Sequence, residues 1–178
     1  PHTDHKDGEF RLRRFSRVEL RTSFWNAGVE IEISRLPHDD FTQSEEFNDY
    51  QGGMARSFEE IEDEALFSRG MKDALLIYKE SNNLNDGIRV DIHQLRVITA
   101  EDVTQVSPEG IHQDGYNHIS MLGVNRHNIT GGELLLHKTK ESEPVVRWCL
   151  EDGEMVSLDD SKMWHNANPI KPVDGSKP

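Results

Sequence analysis

Pro108-Glu109-Gly110-Ile111-His112-Gln113-Asp114-Gly115 leads within a few residues into the apolar run Ile119-Ser120-Met121-Leu122-Gly123-Val124. The first stretch reads as a turn that runs into a strand and out again; the second has strand length and strand composition. In extended backbone, side chains at i and i+2 share a face, so His112 and Asp114 present an imidazole and a carboxylate side by side. Fifty-one residues after Asp114 comes His165, preceded by Val156-Ser157-Leu158-Asp159-Asp160-Ser161-Lys162-Met163-Trp164. That segment reads as a strand, an Asp-rich turn and a second short strand. The pair and the distant histidine thus lie at strand ends beside turns, where the mouth of a β-barrel would put them. The spacing leaves room for the strands that return His165 to the pair.

The flanking sequence supports a mainly β architecture with flanking helices. Phe10 to Leu20 is arginine-rich with alternating apolar positions, and Val29-Glu30-Ile31-Glu32-Ile33 alternates strictly, as a half-buried strand does. Pro37 to Gly53 is polar and turn-rich, with Phe41, Phe47 and Tyr50 as anchors of a long ordered loop. Ser57-Phe58-Glu59-Glu60 resembles a capping box, and a helical apolar stripe follows to about Asn83, broken into two helices at Gly70. After the turn cluster Asn82 to Gly87, Ile88 to Ile98 alternates over its whole length. Its apolar side switches along the strand, as if one end lined a polar cavity. Leu134 to His137, Val145 to Leu150 and Met155 to Leu158 are further strands bounded by turn residues. Short strands at regular spacing after a helical block predict a barrel or sandwich braced by helices. Residues 1–8 are polar and read as a frayed end or the remnant of a longer N-terminal part.

Composition narrows the function classes. The 178 residues suffice for one domain with a sizeable core, although apolar residues are only 34% and charged ones 30%. A net charge of −13 argues against nucleic acid and against anionic membrane surfaces, which both require a basic face. It does not argue against a small anionic ligand, because a few arginines can line a pocket in an acidic protein. Cys149 is the sole cysteine, so no internal disulfide forms; between Val145-Val146-Arg147-Trp148 and Leu150 it reads as a buried, inert thiol. No apolar run reaches membrane-spanning length, and the first residues carry no secretory leader pattern. A reducing, cytoplasmic setting is the expectation.

His112, Asp114 and His165 are the candidate metal ligands and the candidate catalytic constellation. Two histidines and one carboxylate with open positions form the ligand set of non-haem Fe(II) oxygenases. An H-x-D alone is weak among nine histidines; the turn-and-strand context of both halves gives it weight. Asp159-Asp160 reads as a turn, Trp164 as packing beside a ligand, and His118, His127 and His137 as satisfied or solvated histidines. Two other readings fit the same barrel. One is a cupin-type metal protein, against which the lack of an H-x-H near His112 counts. The other is a metal-free or degenerate jelly roll that binds a small molecule or a protein partner without turnover.

Several motifs resemble the bacterial Fe(II)/2-oxoglutarate-dependent amino-acid hydroxylases related to L-isoleucine 4-hydroxylase. They are Arg11-Leu12-Arg13-Arg14-Phe15-Ser16-Arg17; Gln43-Ser44-Glu45-Glu46-Phe47-Asn48 with Gly52-Gly53 and Arg56-Ser57-Phe58; His93-Gln94-Leu95-Arg96; Pro108 to Gly115; Asn125 to Glu133, with its Gly131-Gly132; Trp164-His165; and Asn168-Pro169-Ile170. The order is that of the family, and the motifs cover most of the chain. The resemblance implies a double-stranded β-helix (jelly-roll) barrel with iron at one mouth, held by His112, Asp114 and His165. It implies 2-oxoglutarate and dioxygen as co-substrates and a free L-amino acid, aliphatic or thioether, as the small-molecule substrate; an oligomer is compatible with it. Arg17, Arg96 and Arg126 are candidates for binding that substrate's carboxylate, since a guanidinium pairs bidentately with a carboxylate, and Gln94 is a candidate for either of its charged groups. The family's 2-oxoglutarate arginine lies further downstream of the distal histidine than this sequence reaches. The expectation is therefore that this arginine and the closing strand of the single domain over residues 1–178 follow just beyond Pro178.

Overall fold

The computed structural model describes residues 2–3, 10–25, 28–48, 52–99 and 103–173. Its spine is β2 (Arg11–Trp25), which pairs antiparallel with β1 (His2–Thr3), with β3 (Gly28–Arg35) and with β4 (Ile88–Val97). Alternation along β2 sorts its side chains onto two faces. Val18 and Leu20 on one face join Ile31, Ile61, Leu66 and Leu75 in a buried cluster, with Val90 and Ile92 of β4 packed against it. α1 (Asp63–Leu66) and α2 (Arg69–Ser81) supply Leu66 and Leu75. Each such side chain, fully buried, stabilises the fold by about 1.5–3 kcal/mol.

The other face of β2 and β4 carries Phe15, Arg17, Asp91 and His93. Phe15 packs with Phe41 and Phe58 in a second buried cluster. Arg13 lies over the Phe58 ring at 5.2 Å and Arg56 over Phe41 at 5.1 Å, so the guanidinium planes complete this aromatic layer. Phe41 and Arg56 exchange backbone hydrogen bonds at 2.9 Å, which orders the loop foreseen over Pro37 to Gly53. Tyr50, expected as one of its anchors, lies outside the described residues.

The second half of the chain is short antiparallel strands. β5 (His118–Leu122) pairs with β9 (Met155–Asp159), and β6 (Ile129–Gly131) with β11 (Ile170–Pro172). β7 (Leu134–His137) lies between β8 (Val146–Trp148) and β10 (Trp164–Ala167). Leu134, Leu136 and Leu158 form the core of this half. The fold is mainly β with two helices, as expected; among the described residues the antiparallel sheets are not closed into a barrel. No helix among the described residues is long and apolar enough to cross a membrane.

Local expectations are adjusted in three places. The helical block begins at Asp63, not near Ser57, because the preceding segment bonds to the sheet: Phe15 N–H donates to Glu59 O and Ile61 N–H to Ser16 Oγ. The break between the helices falls at Phe67-Ser68, before Gly70. Ser68 is the N-cap of α2, its hydroxyl accepting from Met71 N–H at 3.2 Å. Near the start of the chain, His2–Thr3 pairs with β2, whereas the rest of the polar stretch 1–8 lies outside the described residues.

Candidate metal centre

Only His112 of the His112-Gln113-Asp114 triplet is paired as a strand residue. It forms an isolated antiparallel bridge with His165: His112 N–H donates to His165 O at 3.0 Å, and His165 N–H to His112 O at 2.9 Å. The triplet is therefore not the extended strand that its sequence predicts. Asp160 explains the departure. Its carboxylate is buried, 1% exposed, and accepts from three consecutive backbone N–H groups: Asp114 at 3.0 Å, Gly115 at 2.8 Å and Tyr116 at 3.2 Å. Three amides converging on one carboxylate curl the chain out of strand geometry. Gln113 donates its amide to Asp160 O and tightens the same junction.

The curl brings the three predicted ligands together. Ligand atoms of His112, Asp114 and His165 lie within 4.8 Å of one another. His112 Nε2 is 3.6 Å from Asp114 Oδ1, and His165 Nε2 is 3.6 Å from Asp114 Oδ2. The two imidazole rings are tilted by 54° with centroids 4.3 Å apart. Ligands about 2.1 Å from one ion and at right angles to each other lie about 3 Å apart, so the spacing suits a single metal ion.

Protonation geometry also fits. His112 Nδ1 is 2.8 Å from Gly110 O; a carbonyl can only accept, so the proton sits on Nδ1 and the Nε2 lone pair faces Asp114. His165 Nδ1 is directed towards Asp160 Oδ1 at 3.6 Å, which leaves its Nε2 facing the same point. The Asp114 carboxyl is held well below the usual carboxylate range: burial opposes its charge, and the two imidazoles beside it, His165 first and then His112, outweigh the burial. Gln43 Nε2 donates to Asp114 O at 3.1 Å and to Oδ1 at 3.3 Å, and Asn48 holds Gln43 in turn at 2.9 Å. Two imidazole nitrogens and one carboxylate, with His112 and Asp114 each held by a hydrogen bond from or to a further group, form a set able to hold a divalent cation of the iron type.

The substrate candidates fare differently. Arg17 reaches the edge of the loop, but its Nε and Nη2 bond both oxygens of Asp91 at 2.6 and 3.0 Å, and Tyr116 O–H donates to the same Asp91 at 2.8 Å. Gln94 and Arg96 are exposed and alternate with His93 onto the face that carries Val90 and Ile92, away from the Phe15 side. Arg126 donates Nη2 to Gly131 O at 2.7 Å and braces the turn after β6. None of these four is brought into the cluster of ligand atoms. His137 is buried and satisfied by Ser142 O at 2.7 Å and Asn166 Oδ1 at 3.0 Å, as expected. Cys149 is half-buried, and burial pushes its thiol pKa up, in keeping with an inert thiol.

Sequence reasoning missed Asp160, Gln43 and Glu109. Asp159 does make the foreseen turn, bonded to Ser161 and Lys162, and it masked its buried neighbour. Glu109 Oε1 lies 3.4 Å from His112 Nε2, and its Oε2 lies 3.8 Å from Arg11 Nη1. The signal for Gln43 was an uncharged amide in a polar loop, which nothing local distinguishes. That for Glu109 was its position three residues before a ligand.

A bsmA homologue from Methylobium petroleophilum PM1 superposes with a TM-score of 0.75 at 23% identity, covering 98% of this chain and 69% of that one. IDO from Bacillus thuringiensis gives 0.72 at 20% identity, covering 94% and 73%. The Fe(II)/α-ketoglutarate-dependent dioxygenase TqaL gives 0.58 at 19% identity, covering 99% and 65%. These likenesses are of fold. Among curated proteins, no sequence matches the chain. The family comparison is decisive: residues 1–178 match the 2OG-Fe dioxygenase family throughout, and the chain belongs to that family of iron- and 2-oxoglutarate-dependent enzymes.

Proposed function

We propose that this dioxygenase oxidises a free L-amino acid, hydroxylating an aliphatic side chain or adding oxygen to a thioether, with His112, Asp114 and His165 as the iron ligands. The convergence of those three ligand atoms within 4.8 Å carries the reading. The jelly-roll barrel belongs to it as well: the β5–β9, β6–β11 and β10–β7–β8 ladders are the paired antiparallel strands from which such a barrel is wound. The amino-acid substrate is supported by motifs resembling the hydroxylases related to L-isoleucine 4-hydroxylase, distributed from Arg11 to Ile170.

When bound together, Fe(II), 2-oxoglutarate and dioxygen supply a four-electron oxidation: one oxygen atom enters the substrate, the other enters succinate, and carbon dioxide leaves. The protein's task is to hold and orient. His112 presents Nε2 because Gly110 O keeps its Nδ1 protonated. His165 presents Nε2 with Asp160 behind its other nitrogen. Asp114 stays ionised between them, and Gln43 fixes the rotation of its carboxylate. Three ligands on one side leave the opposite side open to small molecules. On the sheet, Phe15, Phe41 and Phe58 pack together, with His93 stacked against them and near enough to Asp114 to help hold its charge.

The test is succinate formation by the full-length protein under air with Fe(II), ascorbate and 2-oxoglutarate, across a panel of L-amino acids. Succinate that rises only with particular aliphatic or thioether amino acids supports the proposal. Equal background rates with every amino acid would refute the substrate class.

A further inference from the structure

The cleft beside His112 contains a carboxylate that the metal ligand set does not use. Its walls are Phe47, Ile111 and Trp164, and its polar groups include Glu46, Glu109 and Lys140. Glu109 is the most enclosed of these charges, its side chain 14% exposed. The turn at Pro108–Gly110 puts it there: Gly110 adopts φ 77°, which glycine tolerates, and Gly110 N–H donates to Ser107 O at 3.1 Å. The same turn that offers Gly110 O to His112 Nδ1 thus lays Glu109 Oε1 3.4 Å from His112 Nε2.

A carboxylate this enclosed needs a compensating cation. Arg11 Nη1 pairs with Oε2 from 3.8 Å, beyond direct hydrogen-bond reach, while Oε1 faces His112 Nε2. On its aromatic side the cleft already holds a cation, Lys140 Nζ lying 5.8 Å from the centre of the Trp164 ring. Acidic groups at one side, a lysine at another and apolar walls between match a zwitterion with an apolar side chain.

We propose that Glu109 is a specificity-determining residue that receives the α-ammonium group of the amino-acid substrate in this cleft, with Lys140 as the counter-charge for the substrate carboxylate. The proposal deepens the amino-acid reading above and rests on it. Because Glu109 lies 3.4 Å from a ligand nitrogen, an ammonium held by it places the substrate's carbons beside the metal centre. A 2-hydroxy acid of the same skeleton offers no cation to that carboxylate and is discriminated against.

The experiment compares Glu109→Gln with the wild-type full-length protein on L-isoleucine, L-leucine and L-methionine, each alongside its 2-hydroxy acid, by succinate yield and with iron content measured in parallel. Loss of a buried charge partner predicts a KM for the amino acid raised on the order of 100-fold, with a smaller change in kcat. It also predicts that the preference for amino over hydroxy acid collapses while one iron per chain is retained. Glu109→Asp keeps the charge with a shorter reach and falls between the two, which covers a folding defect in the glutamine variant. An unchanged KM or an unchanged amino/hydroxy preference in Glu109→Gln, with an active wild type, overturns this inference alone. Iron lost in proportion to activity also overturns it, by assigning Glu109 to the metal. A wild type that turns over none of the amino acids overturns the substrate reading and this inference with it.

Discussion

Replacing Asp160 by Asn should damage the metal centre without touching a ligand. The carboxylate is 1% exposed and gathers the N–H groups of Asp114, Gly115 and Tyr116 on one oxygen. Asparagine can keep its oxygen towards those three amides, but each bond then loses its charge assistance. The difference between a charge-assisted and a neutral hydrogen bond is about 1 kcal/mol, so three bonds give about 3 kcal/mol. For a chain of this size that corresponds to a melting temperature lowered by about 6–12 °C. The side-chain amide would also stand where Asp160 Oδ1 now faces His165 Nδ1 at 3.6 Å, replacing a carboxylate oxygen beside that ring by a donor. Metal affinity should fall about 10- to 100-fold. Thermal unfolding of metal-stripped protein isolates the first effect from ligand linkage, and Co(II) titration reads the second. An Asp160→Asn variant with wild-type melting temperature and wild-type metal affinity would refute the role assigned to Asp160.

Other perturbations follow from the same geometry. His93 is stacked on Phe15 at 4.9 Å and edge-on to Phe41 at 4.6 Å, and burial, then the charge of Arg13, pushes its pKa down to about 3. An unfolded chain therefore takes up a proton below about pH 6.5 that the folded one refuses. The wild type should lose stability progressively from there towards pH 3, and His93→Phe should lack that component in denaturant titrations at several pH values. Gly115 adopts φ 87°, and a Cβ there would stand 2.5 Å from Phe47 Cδ2. Gly115→Ala should cost more than about 1 kcal/mol and lower metal affinity through the adjoining Asp114, as chemical unfolding and metal titration would show.

The ligands were legible because their chemistry is unusual: an H-x-D beside a turn and a histidine after an Asp-rich turn are recognisable without knowing the fold. Strands β2, β3 and β4 were legible from alternation alone. What decides the geometry of the centre was not. The Asp160 carboxylate contacts residues more than forty positions away in the sequence, and in isolation Asp159-Asp160 is an ordinary polar turn. Ser57 to Glu60 has the composition of a helix start, yet its backbone is taken up by Phe15 and Ser16 of β2, a tertiary contact that outweighs local propensity. Arg17, Gln94, Arg96 and Arg126 were attractive for their chemistry, whereas their use depends on which face of a strand or turn they occupy. Glu109 was hidden for the opposite reason: the proposal for it depends on a distance of 3.4 Å that its place three residues before His112 does not convey.

The central claim is that three side chains of this chain hold the iron that drives turnover. The most direct test is iron content per chain, with succinate yield on the same samples, for the full-length wild type and for His112→Ala, Asp114→Ala and His165→Ala after anaerobic Fe(II) loading and desalting. The account predicts one iron per wild-type chain. In each variant it predicts little or no retained iron and no iron-dependent succinate, with a circular-dichroism spectrum close to that of the wild type. A variant that keeps both its iron and its turnover would contradict it.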